Sequence, residues 1–314
     1  MRHLLTIIGL LIISYSLTAQ TYEYVYRNNQ DSSANCYLKV IPDTSELVGL
    51  IVRDFSSLPD TSKESRSEFH VLAAKNGLMT IFTVTSKRFP ELYYFDKEPA
   101  LLDEIIHEVI TKHNIPDTNI FIGGISASGT RALRFAQYCN QGKSKFNTKI
   151  RGVFAVDSPL DLERFYNSSF EHRKYFKKGM LWEADLILNK FPEFIGTPQE
   201  NIDTYRKSSV FSHTDTTIGN ANYFLNTSIL LFHEPDIDWW LHERGATYFD
   251  INSFDISAFV NKQISNGNND IELITTTQKG YDRNGERNCH SWTIVDEDYL
   301  IEWIVKRINT AHNN

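Results

Sequence analysis

Three cysteines in 314 residues are too few for a disulfide scaffold. Cys36, Cys139 and Cys289 show no CxxC or Cys/His ligand spacing, which argues against a zinc site or any other metal centre. Two readings of the thiols stay open: one disulfide with one thiol left over in an exported protein, or three unpaired, mostly buried side chains. No block of Lys or Arg is long, and 39 acidic residues outnumber 32 basic ones for a net charge of −7. Nucleic acid and anionic lipid surfaces are therefore not expected as partners. Beyond residue 19 no segment is apolar for 18 residues, so no later span of a membrane is expected. GxGxxG and full GxxxxGK[ST] phosphate loops are absent, as are internal repeats and low-complexity linkers.

What is present suits a folded domain. The chain is 41% hydrophobic and 23% charged, which is apolar enough for a sizeable core and too apolar for disorder. Residues 1–19, MRHLLTIIGLLIISYSLTA, begin with Arg2 and His3, continue through an apolar run from Leu4 to Ile13, and end on the small residues Ser16, Thr18 and Ala19. That is the pattern of a secretory signal peptide, which predicts a periplasmic or secreted mature chain of residues 20–314; a retained N-terminal anchor is the alternative. No Cys follows the leader, so a lipoprotein anchor is not expected. About 295 remaining residues favour one large domain over two small ones.

Periodicity alternates between two and 3.6. Strands are expected at 22–26, 37–41, 47–53, 78–84, 119–122, 153–156, 228–232 and 271–275. Helices are expected near 69–75, from Pro99 to Asn114 with Leu101, Leu102, Ile105, Ile106, Val109 and Ile110 on one face, at 127–138, at 254–264 and at 299–308. Such alternation implies a mostly parallel sheet covered on both faces, an α/β architecture. Residues 160–221 break the alternation with mixed, helix-rich sequence interrupted at Pro192 and Pro198, and are the natural candidate for a helical cap insertion.

The strongest local signal is Phe121-Ile-Gly-Gly-Ile-Ser-Ala-Ser-Gly-Thr130, which follows a strand and opens a helix. Its core, Gly124-Ile125-Ser126-Ala127-Ser128, is small-x-Ser-x-small. A serine on a sharp strand-to-helix turn sits in a strained conformation, and bulky neighbours two residues away would collide. The amide of Ala127, at the new helix's N-terminus, would face a developing oxyanion. Ser128 is a second, less well flanked candidate nucleophile, because β-branched Thr130 stands two residues beyond it.

This segment resembles the nucleophile elbow of the α/β-hydrolase superfamily, with Ser128 standing where the common pattern has Gly. The resemblance extends in element order over residues 22–310 and implies the α/β-hydrolase fold, a serine hydrolase and the chain order Ser, acid, His. The acid should follow the strand after the cap, where Asp236 is the first candidate and Asp238 its rival; either could instead cap a helix at Trp239-Trp240. The base should lie between the last strand and the last helix, where His290 is the single histidine, in His290-Ser291-Trp292. Asp157 and Asp161, at the sheet's rim, could line a pocket, but a helix N-cap at Asp157 or Ser158 is the favoured reading. His107, His113, His233 and His242 read as structural or exposed. The second oxyanion donor is expected from Phe55 or Ser56, in the loop after the third strand.

The implied chemistry is cleavage of a carboxylic ester or related acyl bond of a small-molecule or acylated substrate, through Ser126, Asp236 and His290 and an acyl-enzyme, with no cofactor. A peptidase or acyltransferase on the same fold, or a catalytically silent relative used for binding, are the alternatives. A nucleotide-binding fold using Gly123-Gly124 is a more distant one.

Overall fold

A computed structural model describes residues 20–28, 33–44, 46–61 and 68–310. The leader expected at residues 1–19 lies outside the described residues. Among them eight strands form one sheet: β1 (Thr21–Tyr26), β2 (Cys36–Ile41), β3 (Gly49–Asp54), β4 (Leu78–Val84), β5 (Ile120–Ile125), β6 (Gly152–Val156), β7 (Ser228–His233) and β8 (Ile271–Thr275). The sheet order is β1-β2-β4-β3-β5-β6-β7-β8. β1–β2 and β2–β4 pair antiparallel, and every other neighbour pair is parallel.

The helices are α1 (Phe69–Lys75), α2 (Lys97–His113), α3 (Ala127–Asn140), α4 (Leu162–His172), α5 (Lys178–Ile195), α6 (Pro198–Ser208), α7 (Ile237–Trp239), α8 (Ser253–Ser265) and α9 (Glu297–Thr310). Alternate strand residues feed opposite faces of the sheet. Leu50, Val52 and Ile122 pack with Leu102, Ile105 and Ile106 of α2 and Leu133 and Ala136 of α3. Ile51, Phe121 and Phe154 pack on the other face with Phe69 of α1 and Leu300, Trp303 and Ile304 of α9. Burial on both faces is what near-continuous apolar runs such as LMTIFTV in β4 require.

Between β6 and β7 the chain forms α4, α5 and α6 instead of a single crossover helix. Pro198 is the first residue of α6, where its missing N–H is no loss, and a Thr197–Glu200 capping box starts that helix. Pro192 does not interrupt as expected: α5 runs through it to Ile195. It stands in the last turn, so only one hydrogen bond is lost before the helix ends at Gly196.

Register sets which residues stand at the carboxyl edge of the sheet. Ile125 of β5 pairs with Val156 of β6, and Val156 pairs with Phe232 of β7. The next residues, Ser126, Asp157 and His233, therefore form a row along the carboxyl edge of three adjacent parallel strands.

Candidate active site

Ser126 has φ 55° and ψ −132°, a backbone conformation that a side chain rarely adopts. The turn is held on both sides. The Ser126 amide donates to the Val156 carbonyl at 2.8 Å, extending the β5–β6 ladder, and its carbonyl accepts from Gly129 and Thr130 to start α3. Small residues are obligatory here: a Cβ on Gly124 would lie 2.5 Å from the Ser128 Cβ, and one on Gly129 would lie 2.1 Å from the Ser158 Oγ. Ser128 is buried and its hydroxyl accepts from Arg131 at 3.0 Å, so it serves the packing of the turn. Arg131 in turn pairs with buried Asp54 at 2.9 Å, tying α3 to β3.

His290 meets a carboxylate, and that carboxylate is Asp157. The imidazole Nδ1 lies 2.5 Å from Asp157 Oδ2. The other oxygen, Oδ1, lies 3.0 Å from His233 Nδ1, an approach out of line for a full hydrogen bond. Asn252 donates to the same Oδ1 and to the Asp157 carbonyl, both at 3.0 Å. His233 is buried and its far nitrogen contacts the Ser253 hydroxyl. Burial by itself would raise the Asp157 pKa, but the two imidazoles overcome it and hold the carboxyl far below the ordinary range. Burial by itself would lower that of His290, yet the charge and hydrogen bond of Asp157 outweigh it and carry the imidazole up to about 9.

Asp236 is corrected by this geometry. Its Oδ1 accepts from the Trp239 amide at 3.1 Å, capping α7, and its Oδ2 accepts from Arg287 at 2.9 Å. Both oxygens are committed away from the His290 ring. The carboxylate thus braces the loop that carries His290 rather than the imidazole itself. Asp238 is exposed in α7 and is corrected with it. Asp157 is no helix cap either: Asp161 caps α4, accepting from the amides of Glu163 and Arg164. Phe55 is corrected as an oxyanion donor, because its amide already donates to Thr83 at 2.8 Å and its ring stacks on Phe82, away from the Ser126 cavity.

Glu234, which the sequence did not single out, fastens the start of the histidine loop. It accepts from Thr276, from the amides of Lys279 and Gly280, and from Arg287. Glu234, Asp236 and Cys289 bring three donor atoms within 4.8 Å of one another. Arg287 already bridges the two carboxylates, and burial pushes the Cys289 thiol up to about 12, away from the thiolate a metal needs. These residues fit an ion-pair cluster better than a metal centre. Cys36, Cys139 and Cys289 are all buried and none is in a disulfide, which favours the reading without a bridge.

Ser126, Ala127 and His290 open on one cavity of about 350 Å³. Its walls are mainly apolar: Phe89, Pro90 and Leu92 from the loop after β4, Met180, Trp182 and Ile187 from α5, and Trp240. Glu183 of α5 also faces the cavity, and burial there raises its carboxyl pKa.

No family model matches the sequence, and no curated protein matches it either. Solved structures do. An acylaminoacyl peptidase from Pyrococcus horikoshii superposes with a TM-score of 0.58 at 15% identity, covering 98% of this chain. A fungal esterase from Rhizomucor miehei gives 0.58 at 14% identity, covering 96% of this chain and 86% of its own. The Francisella virulence factor BioJ gives 0.56 at 16% identity, covering 91% and 85%. The chain has the α/β-hydrolase fold. It spans 44% of the acylaminoacyl peptidase but most of the esterase and of BioJ, so what is shared with the peptidase is only part of that larger chain. Within the α/β-hydrolase fold, the buried carboxylate here follows β6, one strand earlier than the resemblance implied. The order Ser126, Asp157, His290 along the chain is nevertheless kept. Among the described residues no helix is long and apolar enough to cross a membrane.

Proposed function

We propose that the protein is a serine hydrolase that cleaves a carboxylic ester or closely related acyl bond. One observation carries this reading: a strained serine on a strand-to-helix turn shares a cavity with an imidazole whose other nitrogen is held by a buried carboxylate. Ser126 Oγ attacks the acyl carbon while His290 Nε2 takes the hydroxyl proton. The imidazolium that forms is stabilised by Asp157. The Ala127 amide, at the N-terminus of α3, donates to the oxyanion. Collapse breaks the bond to the alcohol, which leaves with the proton from His290. Water then repeats both steps and frees the acid. The apolar walls and modest volume suit a short or medium acyl group. The signal-peptide pattern of residues 1–19 supports a periplasmic or secreted place of action.

A fluorophosphonate probe tests the reading directly. Wild-type protein is expected to be labelled at Ser126, identified by peptide mass, and Ser126→Ala is expected to take up no label. Labelling elsewhere, or none in folded wild type, would sink it.

The histidine also sets a pH dependence. Only neutral His290 can accept the proton, and its pKa lies up to about 9. The kcat/KM for an uncharged ester is therefore expected to rise nearly tenfold per pH unit from about pH 6 and to level near pH 9, with a gain of about 50-fold between pH 7 and pH 9. The stability contribution runs the other way. The folded value lies above the ordinary histidine value of about 6.5. The Asp157–His290 pair thus stabilises fully below that pH and loses its contribution as pH rises through about 9. A flat rate profile from pH 6 to pH 9 would contradict the assignment of His290 as base.

A further inference from the structure

Arg53 of β3 is a buried cation whose hydrogen-bonding edge has no partner among the described residues. Its side chain is 7% exposed. It lies on the sheet face opposite Asp54, among aromatic rings: the guanidinium carbon is 3.9 Å from the Trp292 ring centre, 5.1 Å from that of Phe55, 5.5 Å from Phe69 and 5.8 Å from Phe82. Stacking satisfies the faces of the guanidinium but none of its N–H groups. Nε is sealed without an acceptor. The carboxylate whose charge bears on it, Glu297, is already engaged by the Trp292 indole N–H at 2.5 Å and the Glu68 amide at 2.9 Å. Among the described residues, none forms an ion pair or hydrogen bond with Arg53.

A cation taken from water in this way is costly unless something completes it. Arg53 lines a cleft of about 640 Å³ that is distinct from the Ser126 cavity. Arg283 adds a second cation to its lining, and Tyr281, Ser291 and Thr293 add hydroxyls. The acids on the rim are occupied: Asp282 accepts from Asn288 and Asp296 from the Tyr299 amide. A guanidinium held in one plane by stacking on Trp292 presents a fixed fork of donors, which matches the two oxygens of a carboxylate or phosphate group.

We propose that this cleft binds an oxyanion, a carboxylate or phosphate group, on the edge of the Arg53 guanidinium. Most of its lining comes from the loop that carries His290, so an occupant would brace that loop from behind. The proposal does not rest on the hydrolase reading and stands or falls separately from it.

The test is thermal unfolding of the full mature chain at pH 7 with sodium phosphate, sodium acetate or sodium chloride at matched ionic strength. Wild type is expected to show a saturable rise in Tm with phosphate, acetate or both that chloride does not give. Phosphate alone points to a phosphorylated ligand and acetate alone to a carboxylate. Ser126→Ala is expected to keep the rise, and Arg53→Met, which leaves the aromatic box filled, to lose it. If Arg53→Met does not fold, Arg53→Lys keeps the charge but loses the fork, and titration calorimetry is expected to show binding weakened by about tenfold or more. Equal Tm in all three salts, an undiminished rise in Arg53→Met, or unchanged affinity in Arg53→Lys would overturn the site.

Discussion

Asp157→Asn is expected to lower kcat for ester hydrolysis by about 10⁴-fold with the fold intact, whereas Asp236→Asn should leave it within about threefold. The amide at 157 is isosteric and still fills the space between His290, His233 and Asn252. It carries no charge to stabilise the imidazolium, and its NH₂ favours the wrong tautomer of the ring that Asp157 Oδ2 now meets at 2.5 Å. At 236 the same change keeps a good helix cap and removes one side of the Arg287 ion pair, while Glu234 still holds that arginine. Stopped-flow or steady-state kinetics on both variants, with circular dichroism to check folding, decides the matter. A large loss in Asp236→Asn with little in Asp157→Asn would restore the assignment expected from sequence.

Ser126→Ala should be still more damaging, with a loss on the order of 10⁶-fold in kcat. The larger lesson is in combination. Ser126 and His290 act on one proton transfer, so His290→Ala alone and the Ser126→Ala/His290→Ala double variant are expected to fall to about the same floor as Ser126→Ala. Losses that multiply instead would mean that the two side chains serve different steps, and the single shared cavity would then have another meaning.

Much of the candidate site was legible beforehand, for identifiable reasons. The elbow around Ser126 is a local object: its backbone strain, its small flanking residues and the helix it opens all lie within ten consecutive residues. Strands β2 to β7 were legible because strands buried on both faces leave apolar runs that few other structures use. His290 was reachable because it is the single histidine between β8 and α9. The carboxylate that meets His290 was not reachable in this way. Asp157 after β6 and Asp236 after β7 both sit at the carboxyl edge of the sheet, and both satisfy the order Ser, acid, His. Phe55 failed for a similar reason: nothing in residues 54–57 reveals that this amide donates across to Thr83. His233 and Glu234 looked unremarkable in sequence, yet one meets the Asp157 carboxylate and the other anchors the histidine loop.

The amino-acid sequence alone determined the strained serine turn, the parallel sheet and the candidate base, because each depends on residues close together in the chain or on a periodicity that repeats. Which carboxylate faces the imidazole was decided only by the tertiary structure. That choice depends on the register of β5, β6 and β7 and on how Arg287 draws Asp236 aside, and a contact spanning 133 residues, as between Asp157 and His290, leaves no trace in local sequence.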